Sequence, residues 1–412
     1  MRCLLLVTSV LFAAQTSSLA AQPTTKAQVQ PPVFSAGTGL VVVDFVVTAK
    51  GDKSVGGMVA GDFVVKEDGK ERPIVSFRAF GGDEPVIVEA NPGDAAADPA
   101  ALAQQKPLAV AVLVIDDGQL TFQQAVRLRP ALKKILSSLA EKNAALALVA
   151  PWSKISLAEQ VDGNTAVFGA AVDQIVGRRV EDRGTFPMAD AEAFAIERGD
   201  PSMLNRLALR FVALNPGFDP DSAAVAARGR ASEVSRDARN RRADLYGVLS
   251  KSLEWLSHQP GRHSLVMVTG GFAYDDDDSK REELITQSLR ANAPVHFLDA
   301  RGLQGMGIFQ GVEYGPALDR DAGETSFAWS EAAEGSTGLA LDTGGIIIRN
   351  TNDMSKGLGL LMDTMSTYYV LAYEPPPHSK SGFRKIKVET KVKGLTIVAR
   401  RGYFDEVKPG RK

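Results

Sequence analysis

Cysteine occurs once in this 412-residue chain, at position 3. That thiol lies inside the opening "MRCLLLVTSVLFAAQTSSLA". Disulfides, thiolate metal sites and thiol nucleophiles are therefore excluded for all that follows it. Histidine is nearly as scarce. His258, His263, His296 and His378 form no H-E-x-x-H or other paired metal spacing. His263 and His296 flank or sit in apolar runs, where structural roles are expected. There is no G-x-S-x-G nucleophile elbow. The glycines of "GLQGMG" and "KGLGLL" make no G-x-G-x-x-G phosphate loop. Charge of one sign is lacking too. A net charge of −2 supplies no global field for nucleic acid or anionic lipid. No apolar run after the first reaches the ~20 residues that span a bilayer, and the first, 4–14, is also too short.

The opening twenty residues have a different logic. Arg2 precedes the apolar core 4–14, and Ser18-Leu19-Ala20 is a small-x-small cleavage site. Residues 1–20 are thus expected to be a secretory signal peptide, and the product to be exported, periplasmic or extracellular. Residues 21–32 read as a flexible lead-in.

Over 33–90 the pattern is β. Val41, Val43, Phe45 and Val47 recur with period two, and Asp68-Gly69 is a hairpin turn signal inside "DFVVKEDGKERPIVSF". A linker rich in Ala, Pro and Asp covers 91–106. From 107 to 365 apolar runs alternate with helical patterns. "PLAVAVLVID" and "HSLVMVTGG" have the uninterrupted apolarity of parallel strands buried on both faces. A helix is expected over about 121–141, with Phe122, Val126, Leu132, Ile135, Leu136 and Leu139 on one side. "AALALVAPWSKISLAEQ" reads as two strands joined at Pro151-Trp152-Ser153. Such alternation implies an α/β, doubly wound, mostly parallel, Rossmann-like sheet. A helical insertion at about 186–245 interrupts it. The basic cluster "RDARNRR" in that insertion reads as a solvated helix face rather than a nucleic-acid patch. Residues 366–404 are β again, with Tyr368 and Tyr369 expected on opposite faces, one in the core and one exposed, and 405–412 form a tail. Isolated hairpins are marginal in water. The two flanks are therefore expected to pair into one split β-sandwich-like domain in which the α/β domain is inserted.

Ligands bind open α/β sheets at the carboxyl ends of the strands. There "VLVIDDGQLT", residues 112–121, stops an apolar run at Asp116 and Asp117. This stretch, with "VVVDFVVTAKG", "GDFVVKEDGKERPIVSF", "VMVTGGF", "PVHFLDARGL", "TGGIIIRNTND", "STYYVLAYEP" and "ARRGYF", resembles the von Willebrand factor A (VWA)-related domain proteins of the acidobacterial type. The resemblance runs in order through most of the chain after residue 20, less clearly over 186–245. It implies a six-stranded sheet between helices, and an adhesion site at the strand ends where a Mg²⁺ ion joins the domain to a protein partner. The family pattern there is Asp-x-Ser-x-Ser, a Thr in a second loop and an Asp in a third.

This chain departs from that pattern. Asp116 matches the first Asp, but Gly118 and Leu120 replace the two serines, and Thr121 is one residue out of register. Thr185 in "RGT" resembles the second-loop hydroxyl. Gly270-Gly271 stands where Asp-Gly should. Asp116 and Thr185 are then the metal ligands that carry over. Mg²⁺ needs near-octahedral oxygens, so the site reads as degenerate. No cofactor is firmly implied. Mg²⁺ at this rim stays open, as does Ca²⁺ through the acids of "YDDDDSK", 274–280, which also suit a helix start. The function expected is a non-enzymatic, adhesion-type protein–protein interaction module. Its rim would be lined by Asp116, Asp117, Thr121, Thr185 and Gly270. The alternative is a metal-assisted hydrolase using Asp116 and Asp117.

Overall fold

The computed structural model describes residues 40–50, 53–81, 88–89, 109–141, 145–160, 165–179, 186–259, 262–275, 279–302, 330–349, 361, 365–377 and 381–405. Residues 1–20, expected to be a signal peptide, the expected lead-in 21–32, the expected linker 91–106, Thr185 and His378 lie outside them.

Strand β1 (Val41–Thr48) buries Val41, Val43, Phe45 and Val47, as its period-two pattern requires. Strands β2 (Phe63–Glu67) and β3 (Lys70–Arg72) form the expected hairpin. Its turn residues, Asp68 and Gly69, both have positive φ, 47° and 80°. Such a turn matches the twist of the strands it joins. Pro73 then breaks the hairpin. Strand β4 (Ile74–Phe80) leaves for a second sheet, where β5 (Val88–Glu89) pairs with it.

The α/β part follows. It contains β6 (Ala109–Ile115), α1 (Phe122–Glu141), β7 (Ala145–Ala150), β8 (Ile155–Gln160) and α2 (Ala166–Asp173). Next come α3 (Asp190–Glu197), α4 (Pro201–Leu214) and α5 (Pro220–Ser257). It closes with β9 (Arg262–Thr269), α6 (Ser279–Arg290), β10 (Val295–Asp299), α7 (Glu334–Thr343) and β11 (Ile347–Ile348). The six strands are ordered β11-β10-β9-β6-β7-β8, parallel throughout except for the antiparallel β7–β8 hairpin. Successive side chains of β6 serve different cores. Ala111, Leu113 and Ile115 pack with α1 and α2, while Val110, Val112 and Val114 pack with α5, α6 and α7. Burial on both faces explains the uninterrupted apolar run.

Helix α1 is rotated from its expected phase. Its buried stripe is Ala125, Leu128, Leu132, Ile135 and Leu136, which leaves Phe122 and Val126 exposed. Helix α5 runs past 245, the end expected for the insertion, to Ser257. It starts at Asp219, whose Oδ1 accepts from the N–H groups of Asp221 and Ser222, with Pro220 in the first turn. Its 38 residues make a rod about 57 Å long. Ala223, Ala227, Ala231 and Val234 pack on α3 and α4, and Leu245, Leu249, Leu253 and Leu256 pack on the sheet.

Strands β12 (Tyr368–Tyr373), β13 (Gly382–Thr390), β14 (Thr396–Ala399) and β15 (Gly402–Asp405) return to the first β elements. Two antiparallel sheets result, ordered β14-β1-β12-β4-β5 and β15-β13-β2-β3. Between them lies one core, with Phe45, Phe63, Phe77, Tyr369, Leu371 and Val388 among its members. Tyr368 and Tyr369 are both buried, not one of the two. Tyr369 enters the shared core and donates its hydroxyl to the Val55 carbonyl at 2.7 Å. Tyr368, on the opposite face, is covered by the Arg262 guanidinium, 3.5 Å from the ring centroid. The first residue of β9 thus roofs the outer face of the β sheet.

Candidate functional site at the strand ends

The chain enters the six-stranded sheet at β6, adds β7 and β8 on one side, then crosses to β9 on the other. The crevice of such a fold opens where that direction reverses, at the carboxyl ends of β6 and β9. Asp116 follows β6, and Thr269 ends β9. The Asp116 N–H donates to the Val268 carbonyl at 2.8 Å, and the Thr269 hydroxyl donates to Asp116 Oδ2 at 2.7 Å. Thr269 Oγ1 also accepts from the Gly271 N–H at 3.2 Å, which fixes its rotamer. Burial, reinforced by the neighbouring charge of Asp117, pushes the Asp116 carboxyl up to about 7. The Thr269 hydrogen bond and the charges of Arg179 and Arg241 oppose that rise.

Asp117 has a different role. It is fully buried, and its carboxylate faces the β7–β8 turn. Oδ1 accepts from the Trp152 N–H at 3.1 Å, and Oδ2 from the Ser153 N–H at 2.6 Å. Lys154 completes that turn with a φ of 57°. Ser153 Oγ in turn accepts from the Val176 N–H at 3.0 Å, which ties in the segment after α2.

Gly118 lies beneath the Trp152 indole. A Cβ there would collide with the ring nitrogen, so the serine of the adhesion pattern has no room. Leu120, at the second serine position, is fully buried in the core. Thr121 caps α1. Its N–H donates to Gln124 Oε1 at 2.9 Å, and its Oγ1 accepts from the Gln124 N–H at 3.2 Å, a reciprocal capping box. The loop 117–121 is further clamped by the Arg178 and Arg179 N–H groups, which donate to the carbonyls of Asp117 and Leu120 at 2.9 Å each. Gly177 makes that approach possible, because a Cβ would strike the Thr121 and Leu120 carbonyl oxygens. Gly177→Ala should therefore destabilise the fold by about 1–3 kcal/mol. Urea unfolding reads this directly, and an unchanged midpoint would refute the close approach.

Gly270 stands across the crevice. A Cβ there would lie 3.8 Å from Arg179 Nη1 and 3.3 Å from the Gln119 carbonyl oxygen. A guanidinium thus sits where the adhesion pattern calls for a carboxylate. At the end of β10, Arg301 pairs with Asp299 through two hydrogen bonds of 2.9 and 2.7 Å.

The residues present do not fit an adhesion-type Mg²⁺. Both Asp117 oxygens are occupied by the turn, Gly118 and Gly270 carry no side chain, and Leu120 is apolar. One Asp116 oxygen is engaged by Thr269, and Arg179 places positive charge alongside. Among the described residues no group of three or more His, Asp, Glu or Cys side chains converges as a metal cage. Asp275, the first acid of the "DDDD" run, is also engaged. It accepts from Arg239 Nε at 2.8 Å and from Arg242 at 2.7 Å, while Asp276–Asp278 lie outside the described residues.

Three arginines of the basic cluster of α5 are in ion pairs with acids of other elements, and Arg236 alone of the four is fully on the solvated face. Arg241 holds Asp190, Arg242 is buried against Asp275, and Arg239 bridges Asp275 and Glu197. The two core histidines are structural. His263 sets both ring nitrogens against the carbonyls of Ala291 and Gln259. In His296, Nδ1 accepts from the Ile346 N–H, and burial pushes its ring down to about 3, so it is neutral. No helix among the described residues is long and apolar enough to cross a membrane.

Two features escaped the sequence reading. Thr269 was visible only as the hydroxyl ending "HSLVMVT", and the Trp152–Gly118 contact joins residues from separate turns. Comparison of the chain with protein-family models gives no match, and comparison with curated proteins gives none either.

Proposed function

We propose that this protein is an exported, VWA-related interaction module, inserted in a split β-sandwich, that binds a protein partner at the strand-end rim without a metal ion and without catalysis. The observation that carries this reading is the engagement of both strand-end carboxylates. Asp117 anchors a turn and Asp116 is closed onto Thr269. What the rim leaves exposed is aromatic and cationic. Trp152 is 57% exposed over Gly118, and Phe122, at the mouth of the same loop, is 60% exposed. Arg178 and Arg179 are exposed beside them. Tryptophan, aromatics and arginine dominate the energetics of protein interfaces. The hydrolase reading needs Asp116 and Asp117 to share a substrate, which the buried orientation of Asp117 disfavours.

The test uses the full chain in two measurements. Calorimetric titration with Mg²⁺, Mn²⁺ and Ca²⁺ should give no saturable heat. The chain immobilised as bait should retain a partner from the exporting cell's extract, and Trp152→Ala should weaken retention by at least about 30-fold with the melting temperature kept. Tight Mg²⁺ binding lost in Asp116→Ala would overturn the metal-independent reading. Retention indifferent to Trp152 and Phe122 would overturn the rim.

A further inference from the structure

A second concavity lies away from the strand-end rim, between α3, α5 and the loop that follows β9. Its volume is about 460 Å³, within the ~300–1,000 Å³ typical of small-molecule sites. Arg228, Ser232 and Arg239 line it from α5, and Phe194, Ile196 and Arg198 from the end of α3. Residues 228, 232 and 239 are four and eleven positions apart, so they share one face of the helix. The remaining lining residues are Glu197 and Asp275.

The charges of this wall are unevenly satisfied. Asp275 is gripped by Arg239 and Arg242, and Glu197 by Arg239 at 2.9 Å. Arg239 is thereby fixed, with its guanidinium carbon 5.2 Å from the Phe194 ring centroid. Arg198 and Arg228 make no ion pair among the described residues, although Arg198 exerts a charge effect on Glu331. The cleft therefore combines an apolar patch, a hydroxyl, one immobilised guanidinium and two guanidiniums with donors to spare. Guanidinium forks match carboxylate and phosphate geometry.

We propose that this cleft is a binding site for a small organic anion, an apolar body bearing carboxylate or phosphate. The anion is held by Arg198 and Arg228, with its apolar part against Ile196. The site is independent of the rim proposed above, since it uses none of the same side chains.

The test titrates the full chain with phenyl phosphate, citrate and inorganic phosphate by calorimetry and thermal shift, with phenol as the neutral comparison. Phenyl phosphate or citrate should bind saturably and raise the melting temperature, and phenol should do neither. Arg198→Glu and Arg228→Glu should each weaken binding by at least about tenfold. Lys251→Glu, at an exposed position of α5 about 18 Å along the helix from Arg239, should leave it unchanged. Stronger binding of phenyl phosphate than of citrate would favour a phosphate ester as ligand, and the reverse a polycarboxylate. Both variants are at exposed positions, and circular dichroism verifies their fold. The proposal is overturned if no probe binds saturably up to about 10 mM, a strength near the weakest useful affinities. It is equally overturned if Lys251→Glu weakens binding as much as the two cleft variants.

Discussion

Asp117→Ala is expected to unfold about 6–12 °C below the parent chain. The carboxylate is fully buried and accepts two backbone N–H groups of the β7–β8 turn. Truncation leaves those donors without their acceptor, and charge-assisted bonds of this kind are worth roughly 1.5–3 kcal/mol each. Water can reach the turn in part, because Trp152 is more than half exposed. A total of about 3 kcal/mol is therefore expected, and for a cooperative unit of 150–250 residues each kcal/mol moves the midpoint by about 2–4 °C. Asp117→Asn keeps one acceptor oxygen and should lose about half as much. Thermal melts followed by circular dichroism decide the matter. A midpoint for Asp117→Ala within about 2 °C of the parent would show that the turn does not depend on this side chain.

Asp116→Asn should do the opposite and stabilise the protein above neutral pH. The folded carboxyl is pushed up to about 7 from an ordinary value of 3.8, first by burial and then by Asp117. A raised acid binds its proton more tightly in the folded state than in the unfolded one. Between about pH 4 and 7 the unfolded chain has released that proton while the folded chain retains it, so stability falls as pH rises through this window. Above 7 the folded protein carries a buried carboxylate, at a cost bounded near 4 kcal/mol and reduced by local relaxation. Asparagine accepts the same Thr269 hydrogen bond without the charge. At pH 8 the variant should exceed the parent by about 1–3 kcal/mol in urea unfolding, and at pH 4–5 the two should converge. Adding Mg²⁺ should change neither curve. A variant less stable than the parent at pH 8 would mean that the ionised carboxylate has a partner the geometry does not show.

These opposed outcomes for adjacent aspartates show where legibility stopped. The end of β6 at Asp116 was readable from one apolar run, and the Asp68-Gly69 turn from one dipeptide, because both are set by neighbours in the chain. The lack of hydroxyl side chains at 118 and 120 was equally plain. What each aspartate does was not, since that depends on Thr269 and on the turn at 152–153, brought in by strand pairing. The phase of α1 was misjudged because Phe122 and Val126 fit an apolar stripe as well as Ala125 and Leu128 do, and only the partner surface chooses between them. The arginines of α5 looked solvated because their acids at 190, 197 and 275 lie far off in sequence.

Helix α5 has a mechanical consequence. One uninterrupted rod carries the alanine row that seats α3 and α4 and the leucine row that seats the six-stranded sheet. It contains no proline beyond its first turn, so it offers no proline kink at which the two halves could swivel. The rows that seat α3 and α4 and the sheet are thus joined by continuous helical backbone, so a variant that displaced the outer helices would load the same rod that backs β6 and β9.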